Sequence, residues 1–232
     1  MQLMASKPTP DVNKNGIGIF VYDGINSMDA LGPYRVFKTA GLNVFLVAEH
    51  KGSITTNDQL TIQIDKSTAE VDRLDVLVMP GGAFETAVQT TNLNTLEWVK
   101  KIDQNSVYTT SVCSGAWILG AAGLLQGKSA TTNWYRAKDI LTKYGAKFVK
   151  ERWVQDGKYW TSAGVSAGID MAFAIVHKLL GKDFTQAVML ELEYDPKSPI
   201  EGGSVDKTKP RVFRAMQYMY DYYLLPFINS IP

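Results

Sequence analysis

"TTSVCSGAWILGAAGLLQGKSATTNW", residues 109–134, joins a β-branched run to a run of small and apolar residues. Thr109 to Val112 suit a strand, and Gly115 to Leu125 suit a buried helix. At the joint stands Cys113, the single cysteine of the chain. A thiol at that place has two readings. It is a small buried hydrophobe, as free cysteine often is. Or it is a nucleophile displayed on a strand-to-helix turn, where catalytic thiols recur. On the residues alone the two stand level.

The same stretch holds a near-match to a phosphate-binding loop, in Gly127-Lys128-Ser129. Such a loop has to leave a strand and open a helix. This one closes a helix, so Gly127 reads as a helix stop and nucleotide triphosphate binding is rejected.

Outward from Cys113 the same alternation repeats. "IGIFVY" (17–22) and "LDVLVMPGG" (74–82) are buried strands that end in glycine-bearing turns. "NVFLVAE" (43–49) is another strand, and "LTIQID" (60–65) suits a half-exposed hairpin strand. Between them, "SMDALGPYRVFKTAG" (27–41) reads as a helix interrupted near Gly32-Pro33. "NTLEWVKKID" (94–103) is an amphipathic helix, and "WYRAKDILTKYG" (134–145) another. "SATTN" (129–133) adds a short strand, and "KFVKERWVQDGKYWTSA" (147–163) reads as a hairpin turning at Asp156-Gly157. "GVSAGIDMAFAIVHKLLG" (164–181) is a long apolar helix and "FTQAVMLELEYD" (184–195) continues helical. The prediction is an α/β sandwich: a mostly parallel sheet with helices on both faces and Cys113 on the elbow after one strand.

Bulk properties narrow the classes. With 232 residues, 45% hydrophobic and 20% charged, the chain suits one large globular domain. Residues 1–15 read as a flexible N-terminal arm, 16–232 as the domain, with an aromatic C-terminal extension from about residue 205. A net charge of +1 leaves no basic excess for nucleic acid. No apolar run reaches membrane-spanning length and no signal peptide is visible, so a cytoplasmic location is the default expectation. One cysteine cannot form an internal disulfide.

Ligands of open α/β sheets bind beyond the carboxyl ends of the strands. Asp29, Gly81-Gly82 and Cys113 all fall there. A helix N-terminus favours a thiolate and lowers its pKa, glycines let backbone N–H groups approach a developing charge, and a carboxylate shuttles protons. Each has a plainer reading: Asp29 as a first-turn carboxylate, and the glycines as a turn. His50 and His177 show no pairing with Cys113 by position, and no cluster has zinc spacing. The aromatic tail from Tyr218 to Phe227 reads as core or dimer contact, because few basic residues accompany it.

Taken together, "GIFVYDGINSMDALGPYRVF", "DVLVMPGG" and the cysteine stretch resemble the DJ-1/PfpI superfamily, and within it the isonitrile hydratase branch. "GVSAGIDMAFAIVHKLLG" and "LELEYDPKSPIEGGS" are also similar to that branch, so the resemblance runs from about Ile17 to Ser204. It implies a flavodoxin-like sandwich, a homodimer, no cofactor or metal, and a small-molecule isonitrile as substrate. By the resemblance Cys113 is the nucleophile and Asp29 the acidic residue facing it. Ser114 stands where this branch commonly has Thr, and its N–H with that of Gly82 would form the anion-stabilising site. The implied pocket includes Gly81, Asn133, Trp134, Gly164 and Val165. PfpI-type proteases carry His directly after the cysteine, whereas this chain has Ser114, which disfavours proteolysis. Relatives often read TTHW where this chain reads TTNW, with Asn133 changing the pocket's polarity. The implied activity is hydration of an isonitrile to an N-substituted formamide. The alternatives are a redox or electrophile sensor with a peroxide-sensitive thiol, or a glyoxalase-like hydrolase. The same fold serves in AraC-type regulators, which need a further DNA-reading domain.

Overall fold

Strand formation follows burial on two faces. The computed structural model describes residues 14–82 and 84–231. Along them run β1 (Ile17–Phe20), α1 (Ser27–Thr39), β2 (Val44–Ala48), β3 (Ser53–Thr55), β4 (Thr61–Gln63), β5 (Lys66–Ser67), β6 (Val76–Met79), α2 (Phe84–Gln89) and α3 (Leu93–Asn105). There follow β7 (Tyr108–Val112), α4 (Gly115–Ala121), β8 (Ser129–Ala130), α5 (Ala137–Lys143), β9 (Lys147–Phe148), β10 (Trp153–Asp156) and β11 (Tyr159–Ser162). The chain then forms α6 (Val165–Leu180), α7 (Lys182–Glu191) and α8 (Pro210–Ser230). Every residue of β1, β2 and β6 is buried, which is why these strands read as continuous apolar runs rather than alternating ones.

The main sheet has seven strands in the order β10-β11-β7-β6-β1-β2-β5. All neighbours are parallel except the β10–β11 pair. Helices α1, α6 and α7 pack together on one face, and α2 to α5 with α8 cover the other. The predicted α/β sandwich, a parallel-dominated sheet with helices around it, is the fold of the chain. A second, smaller core of Trp117, Tyr135, Ile140, Leu224, Ile228 and Ile231 seats α8. Among the described residues no helix is long and apolar enough to cross a membrane.

Three local expectations are corrected. Helix α1 runs unbroken through Pro33. The proline withdraws one N–H from the ladder, and burial of Gly32, Pro33, Val36 and Phe37 outweighs that loss. The hairpin loop is Gly157-Lys158, one residue later than expected, because Asp156 still pairs with Tyr159. Gly157 takes φ +63°, as the first position of a type II′ loop demands. Strand β9 is not part of that hairpin but pairs in parallel with β8. The tail forms the helix α8, and α2 and the edge strand β5 are too short to mark themselves in the sequence. The segment Gly127-Lys128-Ser129 leads from α4 into β8, as its rejection as a phosphate loop requires. The expected N-terminal arm lies almost wholly outside the described residues.

Candidate active site

Cys113 closes β7 and precedes α4 with φ +58°, in the left-handed region that non-glycine residues avoid. That conformation costs an L-residue roughly 1–2 kcal/mol. Two bonds hold it. The Cys113 N–H donates to the Ser162 carbonyl at the end of β11 (3.0 Å). The Thr132 hydroxyl donates to the Cys113 carbonyl (2.8 Å). Behind the elbow Gly115 is pressed against β6, where an added Cβ would sit 1.9 Å from the Met79 carbonyl oxygen. Backbone cannot give way as a side-chain tip can. Gly115→Ala is therefore expected to destabilise the fold by about 3 kcal/mol or more, read as a lowered urea midpoint. An unchanged midpoint would show that the elbow is not packed this way.

Opposite the elbow, Asn26 caps α1 by accepting the N–H groups of Met28 and Asp29, which sets Asp29 in the first turn. Asp29 is fully buried. Its Oδ2 accepts the Gly81 N–H at 3.2 Å, and its carboxyl pairs with the Cys113 thiol. Burial raises its pKa from 3.8 to about 7, against the opposing pull of the Gly81 and Cys113 bonds. Gly81 has no room for a side chain: a Cβ there would meet Ser114 Oγ at 2.5 Å and Asp29 Oδ2 at 3.0 Å.

The thiol departs from expectation. Burial, and then the Asp29 charge, push it well above its ordinary range. The Ser114 N–H and the Asn133 side chain pull the other way by bonding the sulfur. Helix α4 has only two turns, so its dipole is a minor counterweight to desolvation and a facing carboxylate. Cys113 and Asp29 are accordingly one coupled acid that gives up its first proton near neutrality.

Gly82 also differs from expectation. Its N–H is directed to Ser114 Oγ (3.2 Å) rather than left open beside the sulfur. Ser114 Oγ in turn meets Thr86 Oγ1 (2.9 Å), and Thr86 Oγ1 meets the Tyr22 hydroxyl (2.9 Å). Since Tyr22 donates its one proton to the Pro80 carbonyl (3.0 Å), the direction of the chain is fixed. Gly82 N–H donates to Ser114, Ser114 to Thr86, Thr86 to Tyr22, and Tyr22 to Pro80. This buried relay ties the ends of β1 and β6, α2 and the elbow together.

The remaining predicted positions fall around the same sheet edge. Asn133 is buried and bonds the sulfur. Gly164 and Val165, half-buried, open α6 just after Ser162, whose carbonyl holds Cys113. Trp134 lies in an aromatic cluster with Phe213 and Tyr220 of α8, at ring distances of 5.8 and 5.1 Å. Both histidines are exposed. Among the described residues no group of acidic, His and Cys side chains could hold a metal ion.

The comparisons with known proteins give the family. Residues 16–178 match the model of the DJ-1/PfpI family. An isonitrile hydratase of Pseudomonas putida is 38% identical over 191 residues, covering 82% of this chain and 83% of that protein. A deglycase of Thermococcus kodakarensis is 29% identical, over 61% of this chain and 84% of its own. The crystal structure of a ThiJ/PfpI family protein from Pseudomonas syringae superposes with a TM-score of 0.89 at 31% identity, covering 97% of both chains. With most of the chain matched in sequence and nearly all of it in structure, the protein belongs to the DJ-1/PfpI family.

Proposed function

We propose that this protein is a cysteine-dependent isonitrile hydratase that adds water to an isonitrile to give an N-substituted formamide. The observation that carries the reading is the pairing of Cys113, on its left-handed elbow, with the buried Asp29. The pair, once singly ionised, has two proton placements. Two donors, the Ser114 N–H and the Asn133 amide, face the sulfur, and one, the Gly81 N–H, faces the carboxylate. Burial holds the thiol above Asp29, so the carboxylate form predominates at rest, and the two donors at the sulfur help to reach the minor, reactive placement of thiolate and protonated Asp29.

In that form the thiolate attacks the terminal isonitrile carbon, forming a C–S bond, and Asp29 delivers its proton to the same carbon. The product is a thioimidate on Cys113. The Asp29 carboxylate then takes a proton from water as its oxygen adds to the carbon, and passes a proton to the nitrogen. Finally the hydroxyl proton of the adduct goes to Asp29 as the C–S bond breaks. The formamide leaves, and thiolate and carboxylic acid are restored. Ser114 N–H and the Asn133 amide stabilise the departing sulfur. Gly82 N–H joins them only if the Ser114 hydroxyl turns away. Gly81, Trp134, Gly164 and Val165 complete the pocket.

The P. putida isonitrile hydratase supports this reading at the level of the overall chain. A sensor would be modified at Cys113 once per chain without steady turnover. Both histidines are exposed, so a glyoxalase-like route finds no buried histidine partner for the sulfur. The reading is tested by following an aryl isonitrile by absorbance across pH. The pair must lose one proton to work, so kcat/KM is expected to climb through about pH 7 and then level off. Activity that is flat from pH 5 to 8 would remove Asp29 and Cys113 as a coupled acid.

The homodimer belongs to the same proposal. Val212, Met216, Met219 and Tyr223 form one stripe along α8 at steps of four, three and four residues, and all are exposed. Such a stripe suits a second copy of the chain. Light scattering that gives a monomer mass would reject it.

A further inference from the structure

One aromatic side chain of α8 packs on the loop beside the reacting pair. The helix is fastened at two points. Phe227 stacks on Trp117 with ring centroids 5.5 Å apart, beside Leu224 and Ile228 in the smaller core. Asp221 Oδ1 accepts the Tyr135 hydroxyl at 2.8 Å and the Arg136 guanidinium at 2.9 Å. The second fastening pins α8 to the loop that carries Asn133, the sulfur's side-chain donor, and Trp134. Next to Asp221, the ring of Tyr220 lies 5.1 Å from both Trp134 and Tyr135. It is half-buried, and the charges of Cys113 and Asp29 reach its hydroxyl and help burial push its pKa up. Tyr220 is thus held, by two aromatic neighbours and an ion pair, on the loop whose Thr132 hydroxyl donates to the Cys113 carbonyl at 2.8 Å.

We propose that Tyr220 is a specificity-determining residue: with Trp134 it forms an aromatic wall of the Cys113 pocket that favours substrates whose group beyond the reacting carbon is a flat aryl ring. The inference rests on the reading of Cys113 as the reacting nucleophile. An isonitrile is linear at its nitrogen, so a carbon placed on the sulfur sends the N-substituent straight out of the site. Near the sulfur the walls are polar: the Gly81 backbone, Asp29 and the Asn133 amide. Next along the chain from Asn133 comes the Trp134 ring, with Tyr220 packed on it at 5.1 Å. Tilted or edge-to-face ring pairs gain attraction beyond area burial. An aliphatic substituent of similar size gains the burial alone.

Two measurements test this. The first is kcat/KM for an aryl and for a cyclohexyl isonitrile in wild type, Tyr220→Phe and Tyr220→Leu. The aryl preference is expected to survive in Tyr220→Phe and to fall by roughly fivefold in Tyr220→Leu, mostly through KM. An unchanged ratio in Tyr220→Leu overturns the proposal. The second measurement needs no isonitrile chemistry: labelling of Cys113 by N-phenylmaleimide against N-ethylmaleimide, with free glutathione as reference. Wild type is expected to favour the phenyl reagent several-fold more than glutathione does, and Tyr220→Leu to lose that excess. A wild-type ratio equal to glutathione's overturns the aromatic wall. If the labelling responds while wild type turns over no isonitrile, the wall stands and the isonitrile reading falls.

Discussion

Asp29→Asn is expected to lose activity and gain stability together. Without the proton carrier, kcat for isonitrile hydration should fall by about 10²–10⁴-fold. The fold should tolerate the change, because the amide oxygen of Asn can still accept the Gly81 N–H and its NH₂ can face the sulfur. The stability gain follows from linkage. In the folded protein burial keeps the carboxyl protonated up to about pH 7, whereas in the unfolded chain it ionises near its ordinary 3.8. Between these values the folded state holds more protons, so wild-type stability declines as pH rises from about 4 to about 7 and stays low above. The span corresponds to about 4 kcal/mol at most, less any relaxation of the site. Urea unfolding at pH 5 and pH 7.5 reads this. The wild-type midpoint should drop between the two pH values by more than that of Asp29→Asn. Parallel behaviour of the two proteins would mean that the carboxyl is not held protonated by burial.

Cys113→Ala should abolish turnover, by about 10⁴-fold or more, as removal of a covalent nucleophile does in enzymes that depend on one. Alanine keeps the left-handed strain, so little change in stability is expected. Cys113→Gly should be equally inactive but more stable, by roughly 1 kcal/mol, because glycine takes φ +58° without strain. A thermal melt separates the two variants. If Cys113→Gly is no more stable than Cys113→Ala, the elbow is not under the strain its φ implies.

How far this was legible in the sequence depends on the range of the interaction involved. Strands β1, β2, β6 and β7 show themselves because burial on both faces demands unbroken apolar or β-branched runs. The joint at Cys113 shows itself because the composition changes there from strand-forming to helix-forming. Pro33 misleads because its local penalty is visible, while the packing that overcomes it comes from elsewhere in the chain. The thiol's upward shift could not be read locally. It depends on burial and on a carboxyl 84 positions earlier in the chain, Asp29. The relay from Gly82 through Ser114 and Thr86 to Tyr22 joins three segments by side chains of ordinary type. Thr86 lies in a six-residue helix too short to leave a periodic signature. By sequence Tyr220 reads as core or contact, because the pattern of α8 does not mark where the helix docks. The ion pair of Asp221 with Arg136 supplies that placement.

The most direct test of the account is rapid-quench intact-mass analysis of wild-type protein during turnover of an aryl isonitrile. The account predicts a transient gain equal to the whole isonitrile, mapped by digestion to the peptide that holds Cys113 and absent from Cys113→Ala. Full turnover with Cys113 unmodified at every time point, or turnover retained by Cys113→Ala, would contradict it.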